Sequence, residues 1–247
     1  MKPKYQKIYD YLLEKIHRKH FRPGELLPSE GALMSEFEAS RDTIRKTLNL
    51  LQTQGYIQKI NGKGSVVLDK APIELSFSGI RSFKEVALAL PDTKIETKLI
   101  TFQTKIDTTN ILAIAEFLDK LKVQNTNGLL PKVTYVERLR CINEESIILD
   151  EDYLNAEIIT DLTEKAAEDS LYSYIEDEMR LVIGYTHREI TVIPATERDK
   201  SLLDMQQFDF LICVTSYTYL DDTRLFQFTR SKHRPDKFKF VDFARRK

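Results

Sequence analysis

Two sets of basic side chains in this sequence have the types and spacings needed to hold anions. The first is Ser40-Arg41-Asp42-Thr43-Ile44-Arg45-Lys46, followed downstream by Lys63-Gly64. A guanidinium offers a planar fork of donors that fits guanine O6 and N7 in a major groove, and a lysine is a point charge for phosphate. Gly64 carries no side chain to keep the backbone out of a groove. The second set is Arg138 and Arg140, in a strand-like run over residues 132–142. Period two puts both on one sheet face, roughly 6–7 Å apart. Adjacent cations repel unless they share an anion or face water. The competing reading makes them surface charges paired to Glu137 or Glu189. In the run 224–234, Leu225, Gln227, Thr229, Ser231 and His233 share one face, with Phe226 and Phe228 on the other. That polar face either lines a hydrophilic ligand site or faces solvent.

The elements that must position these groups follow from apolar periodicity. Tyr5, Ile8, Tyr9, Leu12, Leu13 and Ile16 mark an amphipathic helix that Phe21-Arg22-Pro23-Gly24 stops. Ser29 caps a short second helix burying Leu33, Met34 and Phe37. Ser40 caps a third, with Ile44, Thr47, Leu48 and Leu51 inward. At about 100° per residue, Asp42, Arg45, Lys46 and Asn49 point away from that stripe, and Arg41 stands at its border. Gly55 ends the helix, and Tyr56 and Ile57 lead into a strand. Asn61-Gly62 predicts a two-residue type I′ hairpin with positive φ at both positions. Two short helices and a basic hairpin make a winged helix-turn-helix, which offers the start of its last helix to base edges.

That head is expected over residues 1–69, with a linker over 70–78 around Pro72 and a body over 79–247. In the body, a helix over 108–122 turns Ile111, Ile114, Ala115, Leu118 and Leu121 inward, and Ser170 caps another over 171–181. Strands are expected over 132–142, 147–149, 182–194, 210–220, 224–234 and 238–243. Turns fall at Asn143-Glu144-Glu145-Ser146 and Asp221-Asp222-Thr223, and Asp150-Glu151-Asp152 reads as a solvated turn. Hairpin-linked strands with a few helices predict an α+β fold on a mostly antiparallel sheet.

Charge is unevenly shared. Residues 1–70 hold 13 Lys and Arg against 8 Asp and Glu, and the remainder 24 against 30, so the basic excess sits on the head. No apolar run approaches the roughly 18 residues of a membrane span, and no secretory signal follows Met-Lys-Pro-Lys-Tyr. A cytoplasmic chain without a membrane partner is expected. Cys141 and Cys213 have no second Cys or His at ligand spacing, so free thiols are expected, with no metal and no cofactor. His17 and His20 lie in the head, and His187 and His233 have no Ser or Cys nucleophile at a recognisable spacing, so no catalytic residues are assigned and no enzyme is expected.

Pro23-Gly24, Leu27-Pro28-Ser29-Glu30, Ser40-Arg41-x-Thr43-x-Arg45 and Gly62-Lys63-Gly64 together resemble the GntR family of bacterial transcriptional regulators. The resemblance implies that Arg41 and Arg45 contact DNA in the major groove. Thr43, Lys63 and Gly64 then assist at phosphate or in the minor groove, and Ser40 and Lys46 belong to the same surface. Gly31 stands where many members carry a further DNA-contacting Arg. Gly79-x-x-Ser82-Phe83, Glu137-Arg138-x-Arg140, Asp169-Ser170-Leu171-Tyr172 and His233-Arg234-x-Asp236-Lys237-Phe238-x-Phe240 are similar to the effector (UTRA) domain of the HutC branch, which shares the chorismate-lyase fold. This implies phosphate held by the amides of Ser82-Phe83-Lys84, with Arg138, Arg140, Ser170 and Tyr172 completing the clamp. Leu225-Phe226-Gln227-Phe228, together with Phe238-x-Phe240-Val241-Asp242-Phe243-Ala244-Arg245-Arg246, resembles members that respond to trehalose 6-phosphate. Gln227 and His233 then face the sugar; amino-sugar sensors carry Glu and Tyr at these two places. The expectation is a homodimeric repressor on a palindromic operator, released by a phosphosugar. An amino-sugar phosphate or other sugar phosphate as effector is the alternative, and an enzyme on the lyase-like fold a remote one.

Overall fold

The computed structural model describes residues 3–68, 83, 93–106, 108, 114–124 and 132–240. The chain falls into two compact units, Met1–Ser78 with Phe240–Lys247 and Gly79–Lys239. The expected linker 70–78 lies outside the described residues, as do Ser82, Lys84 and Ile111.

In the first unit, α1 (Lys4–His17), α2 (Glu30–Phe37) and α3 (Arg41–Thr53) precede a hairpin of β1 (Ile57–Ile60) and β2 (Gly64–Val67). Ser29 Oγ accepts from Ala32 N and Ser40 Oγ from Thr43 N, so both predicted caps satisfy a free amide of their helix. The expected stripe of α3, Ile44, Thr47, Leu48 and Leu51, is fully buried against Ile8, Leu12 and Leu33. Val67 N donates to Glu25 O, and Leu27 N to Ser65 O, which ties the approach to α2 onto the hairpin. The hairpin turn differs from expectation. Ile60 pairs with Gly64, so three residues connect the strands, and Gly62 takes positive φ (76°) while Asn61 does not. Lys63 N closes the turn on Ile60 O.

The second unit is built on one antiparallel sheet in the order β3-β4-β5-β8-β7-β6. Its strands are β3 (Ile95–Ile106), β4 (Val133–Ile142), β5 (Glu145–Asn155), β6 (Ile183–Pro194), β7 (Phe210–Leu220) and β8 (Leu225–His233). One face carries α5 (Glu164–Asp169) and α6 (Leu171–Ser173), the latter running into a wider turn over Tyr174–Glu178. Leu171 and Ile175 there pack on Val136, Leu154 and Phe226. The other face carries α4 (Ala115–Gln124), whose Phe117, Leu118 and Leu121 cover Val133, Tyr153 and Phe228. Behind the far end of the sheet, α7 (Glu197–Leu202) leads to Leu203 and Met205 over Leu139 and Leu149.

Several expectations are corrected here. Phe117 is buried in α4 and Ala115 exposed, so among the described residues the inward face is Ile114, Phe117, Leu118 and Leu121. The turn after β4 is only Asn143-Glu144, both at positive φ (50° and 70°). Asp150-Glu151-Asp152 is no solvated turn but the middle of β5, with Asp152 buried. Residues 238–240 form no strand; a 3-10 turn, Pro235–Lys237, follows β8, and residues 241–243 lie outside the described part. A register shift opposite Thr218-Tyr219 breaks the alternation of β8: Leu225 packs with Phe228, and Phe226 with Val136 and Leu154.

Candidate functional site

On the head, Ser40 at the cap, then Arg41, Arg45 and Lys46, are solvent-exposed along the outer side of α3, and Thr43 is half-buried among them. The core side is occupied by large aliphatics, so the charged side has nowhere to go but outward. Ser40 Oγ lies 2.9 Å from Thr43 Oγ1, fixing both hydroxyls at the helix start. Lys46 Nζ sits 3.9 Å over the ring of Tyr5, and Arg45 Nε pairs with Glu30 at 3.3 Å. Lys59 Nζ donates to Asn49 Oδ1 at 2.8 Å, linking the hairpin to α3. Lys63 and Gly64 are exposed at the hairpin tip, Gly64 at φ 110°. The result is a basic helix beside a β turn of three residues, a shape that enters a groove rather than enclosing a small molecule.

In the body, the antiparallel register collects one polar layer on the sheet face beneath α5 and α6. Arg138 lies opposite Asp150, Val136 opposite Asp152, and across β5 these meet Ser231 and Thr229. Both arginines are buried, and neither pairs with Glu137 or Glu189. Arg138 Nη2 donates to Asp152 Oδ2 at 2.6 Å and Nη1 to Ala167 O at 3.1 Å. Arg140 Nε donates to Asp150 Oδ2 at 2.9 Å and Nη1 to Thr97 Oγ1 at 2.7 Å; Phe83 stacks on its guanidinium at 4.9 Å. Asp152 Oδ1 also accepts from Gln227 Nε2 and Thr229 Oγ1, each at 2.8 Å. Ser231 Oγ bridges Asp150 Oδ1 and His233 Nε2. Glu137 sits on the opposite face, held by Thr101 and Arg198.

Burial sets the electrostatics. Desolvation, reinforced by neighbouring Arg138, brings Arg140 down to about 10. Burial opposes ionisation of Asp150, but Arg140 and Arg138 more than offset it and hold its carboxyl below the usual range. His233 is pushed down to about 4 by burial, against a pull from Asp150, so its ring is neutral at pH 7. Burial also raises Tyr172 to about 12; its hydroxyl bonds Thr218 and lies near Arg188, Arg138 and Asp152.

Of the expected effector residues, Phe83, Arg138, Arg140, Tyr172, Gln227 and His233 meet on this layer, while Ser170 Oγ caps α6 by accepting from Ser173 N. Thr97, Asp150, Asp152, Thr218 and Arg188 complete the layer and were not read from sequence. The alternating Asp150-x-Asp152 beside Arg138-x-Arg140 was the available signal. Two atoms in the layer have no hydrogen-bond partner among the described residues although both residues are at least 95% buried: Arg138 Nε, a donor, and Gln227 Oε1, an acceptor. Buried polar atoms are rarely left so. The layer can therefore receive a polar ligand that supplies an acceptor and a hydroxyl. Among the described residues, no group of three or more His, Cys, Asp or Glu is arranged to hold a metal, and both cysteines are buried free thiols.

Comparison with known proteins agrees with this division. Residues 4–67 match the model for bacterial regulatory proteins of the gntR family, and residues 108–239 that for the UTRA domain. The chain is 41% identical to the HTH-type transcriptional regulator TreR of Bacillus subtilis over 98% of each chain. It is 29% identical to the mannosyl-D-glycerate transport/metabolism system repressor MngR of Escherichia coli, over 100% of this chain and 98% of that one. Among solved structures, the possible transcriptional regulator YydK of B. subtilis superposes with a TM-score of 0.76 at 24% identity, covering 99% of this chain and all of that one, and so shares the fold. The effector binding domain of the B. subtilis trehalose repressor matches 62% of this chain and 99% of its own at 38% identity, with a TM-score of 0.51.

Proposed function

From the premise that this chain belongs to the GntR family and is a transcriptional repressor of its HutC type, with a UTRA domain behind the DNA-binding head, we propose that a sugar phosphate, trehalose 6-phosphate, releases it from its operator. The observation that carries the effector half is the buried polar layer with Arg138 Nε and Gln227 Oε1 unfilled. A sugar hydroxyl donates to Gln227 Oε1, and a sugar or phosphate oxygen accepts from Arg138 Nε. Arg140, Tyr172 and Arg188 flank that position, and the amides of Ser82-Phe83-Lys84 supply the remaining donors for a dianion. His233, neutral and tied to Ser231, faces the sugar rather than the phosphate. The relationship to a trehalose repressor supports the choice of sugar.

Arg41 and Arg45 read base edges, while Ser40, Thr43, Lys46, Lys63 and Gly64 meet the backbone and minor groove. Two heads engage a palindromic site whose half-sites lie about 34 Å apart, so the working form is a homodimer in the cytoplasm. The edge strand β6, with Tyr185, Ile190 and Val192 exposed, supports a seam on that side of the sheet. Catalysis has no part in this reading. The test is a gel shift on operator DNA with saturating trehalose 6-phosphate, paired with calorimetric titration of the full chain by trehalose 6-phosphate, glucosamine 6-phosphate and trehalose. Unchanged operator affinity with trehalose 6-phosphate sinks the effector assignment, and tighter binding of glucosamine 6-phosphate moves it to amino sugars.

A further inference from the structure

Arg45 points out from α3 with one nitrogen already engaged. Its Nε lies 3.3 Å from Glu30 Oε2, and Glu30 is the first residue of α2, just after the Ser29 cap. The contact bridges the two helices of the helix-turn-helix. Both side chains keep substantial exposure, 56% for Arg45 and 35% for Glu30. Among the described residues, Arg45 Nη1 and Nη2 have no hydrogen-bond or ion-pair partner. A guanidinium makes two parallel bonds to guanine O6 and N7 through one edge of its fork. With Nε spent on Glu30, the edge left for a base is the terminal Nη pair, and the carboxylate fixes the rotation of the plane.

Three further features favour this arrangement. Glu30 sits in the first turn of α2, where the positive end of the helix dipole attracts a carboxylate and helps hold it in place. The next residue, Gly31, brings no cation to compete for that carboxylate. A negative charge on the DNA-facing surface also repels phosphate, weakening binding wherever Arg45 finds no matching base. An exposed pair of this kind adds little to fold stability, so its consequence lies in recognition.

We infer that Glu30 is a positioning residue that orients Arg45 for end-on base contact and penalises DNA lacking that base; this rests on the DNA-binding reading of α3. The experiment uses the full chain. A duplex enriched from a random-sequence pool by the wild-type protein, and a scrambled duplex of the same composition, are titrated by fluorescence anisotropy at fixed salt with wild type, Glu30→Gln, Arg45→Ala and the double variant. Glu30→Gln is expected to bind the scrambled duplex at least as tightly as wild type and to lose roughly 3- to 10-fold in the selected-to-scrambled affinity ratio. Its melting temperature should stay within a degree or two of wild type. In the Arg45→Ala background, Glu30→Gln should leave the ratio unchanged. An unchanged ratio in Glu30→Gln, or the same loss with and without Arg45, overturns the inference. So does a proportional loss on both duplexes with a lowered melting temperature. A wild-type chain that enriches no duplex overturns the DNA-binding reading itself, and this inference with it.

Discussion

At the scale of residues, the body is governed by carboxylates as much as by arginines. Asp152 accepts three hydrogen bonds while 1% exposed, and its removal strands a buried guanidinium. Breaking such a pair costs about 3–5 kcal/mol, so Asp152→Ala should lower the urea midpoint of the body substantially. Gln227→Leu keeps the volume and leaves Thr229 to satisfy Asp152. It should weaken trehalose 6-phosphate about tenfold, for a lost hydrogen bond near 1.5 kcal/mol, while inorganic phosphate binds as before; calorimetry distinguishes the two. His233 gives a signed pH effect. Its folded pKa, about 4, lies below its unfolded value near 6.5, so the unfolded chain takes up the proton first. Stability present above pH 6.5 should fall as pH drops toward 4, and His233→Gln should flatten that part of a urea-midpoint profile.

At the scale of elements, helix starts were the most legible feature. Ser29, Ser40 and Ser170 were all read as caps, and each accepts from an amide three residues on. The chemistry is local, so sequence suffices. Ser40→Ala should cost the head about 1 kcal/mol, seen as a lower melting transition. By contrast, β3 was missed, because Ile95–Ile106 alternates charged and apolar residues weakly and sits at a sheet edge. The wing turn was assigned the wrong geometry because Asn-Gly marks a turn without fixing its loop length. Gly184 is another element-level constraint no periodicity shows: a Cβ there would lie 2.8 Å from Asp221 Cα and N and from Leu220 O. Gly184→Ala should therefore destabilise the body by about 1–3 kcal/mol, measured by chemical unfolding.

At the scale of the molecule, the head and the body are separate compact units, and the proposed regulation is a coupling free energy between their sites. Such couplings amount to about 1–3 kcal/mol, roughly 5- to 150-fold, and are reciprocal. Operator DNA at saturation should weaken trehalose 6-phosphate by the same factor by which the sugar phosphate weakens operator. Unequal factors, measured by titration in both directions, would exclude a simple two-state linkage. Lysines in place of Ile190 and Val192 on the β6 edge should yield a monomer in sedimentation and a loss of operator affinity.

Sequence alone determined the winged head and a body built on a mostly antiparallel sheet, together with the family that their motifs resemble. These depend on short-range periodicity, caps and motif spacing. Only the tertiary structure decided what Arg138 and Arg140 face. From the Asn143-Glu144 turn, where Ile142 pairs with Glu145, a regular ladder would set Leu149 opposite Arg138 and put Glu151 on its face. The bulge between Arg140 and Cys141 adds one residue and turns Asp150 and Asp152 inward instead. A single-residue slip inverts every side chain beyond it. The charges that neutralise the arginines, and the two polar atoms left open beside them, therefore follow from register rather than composition.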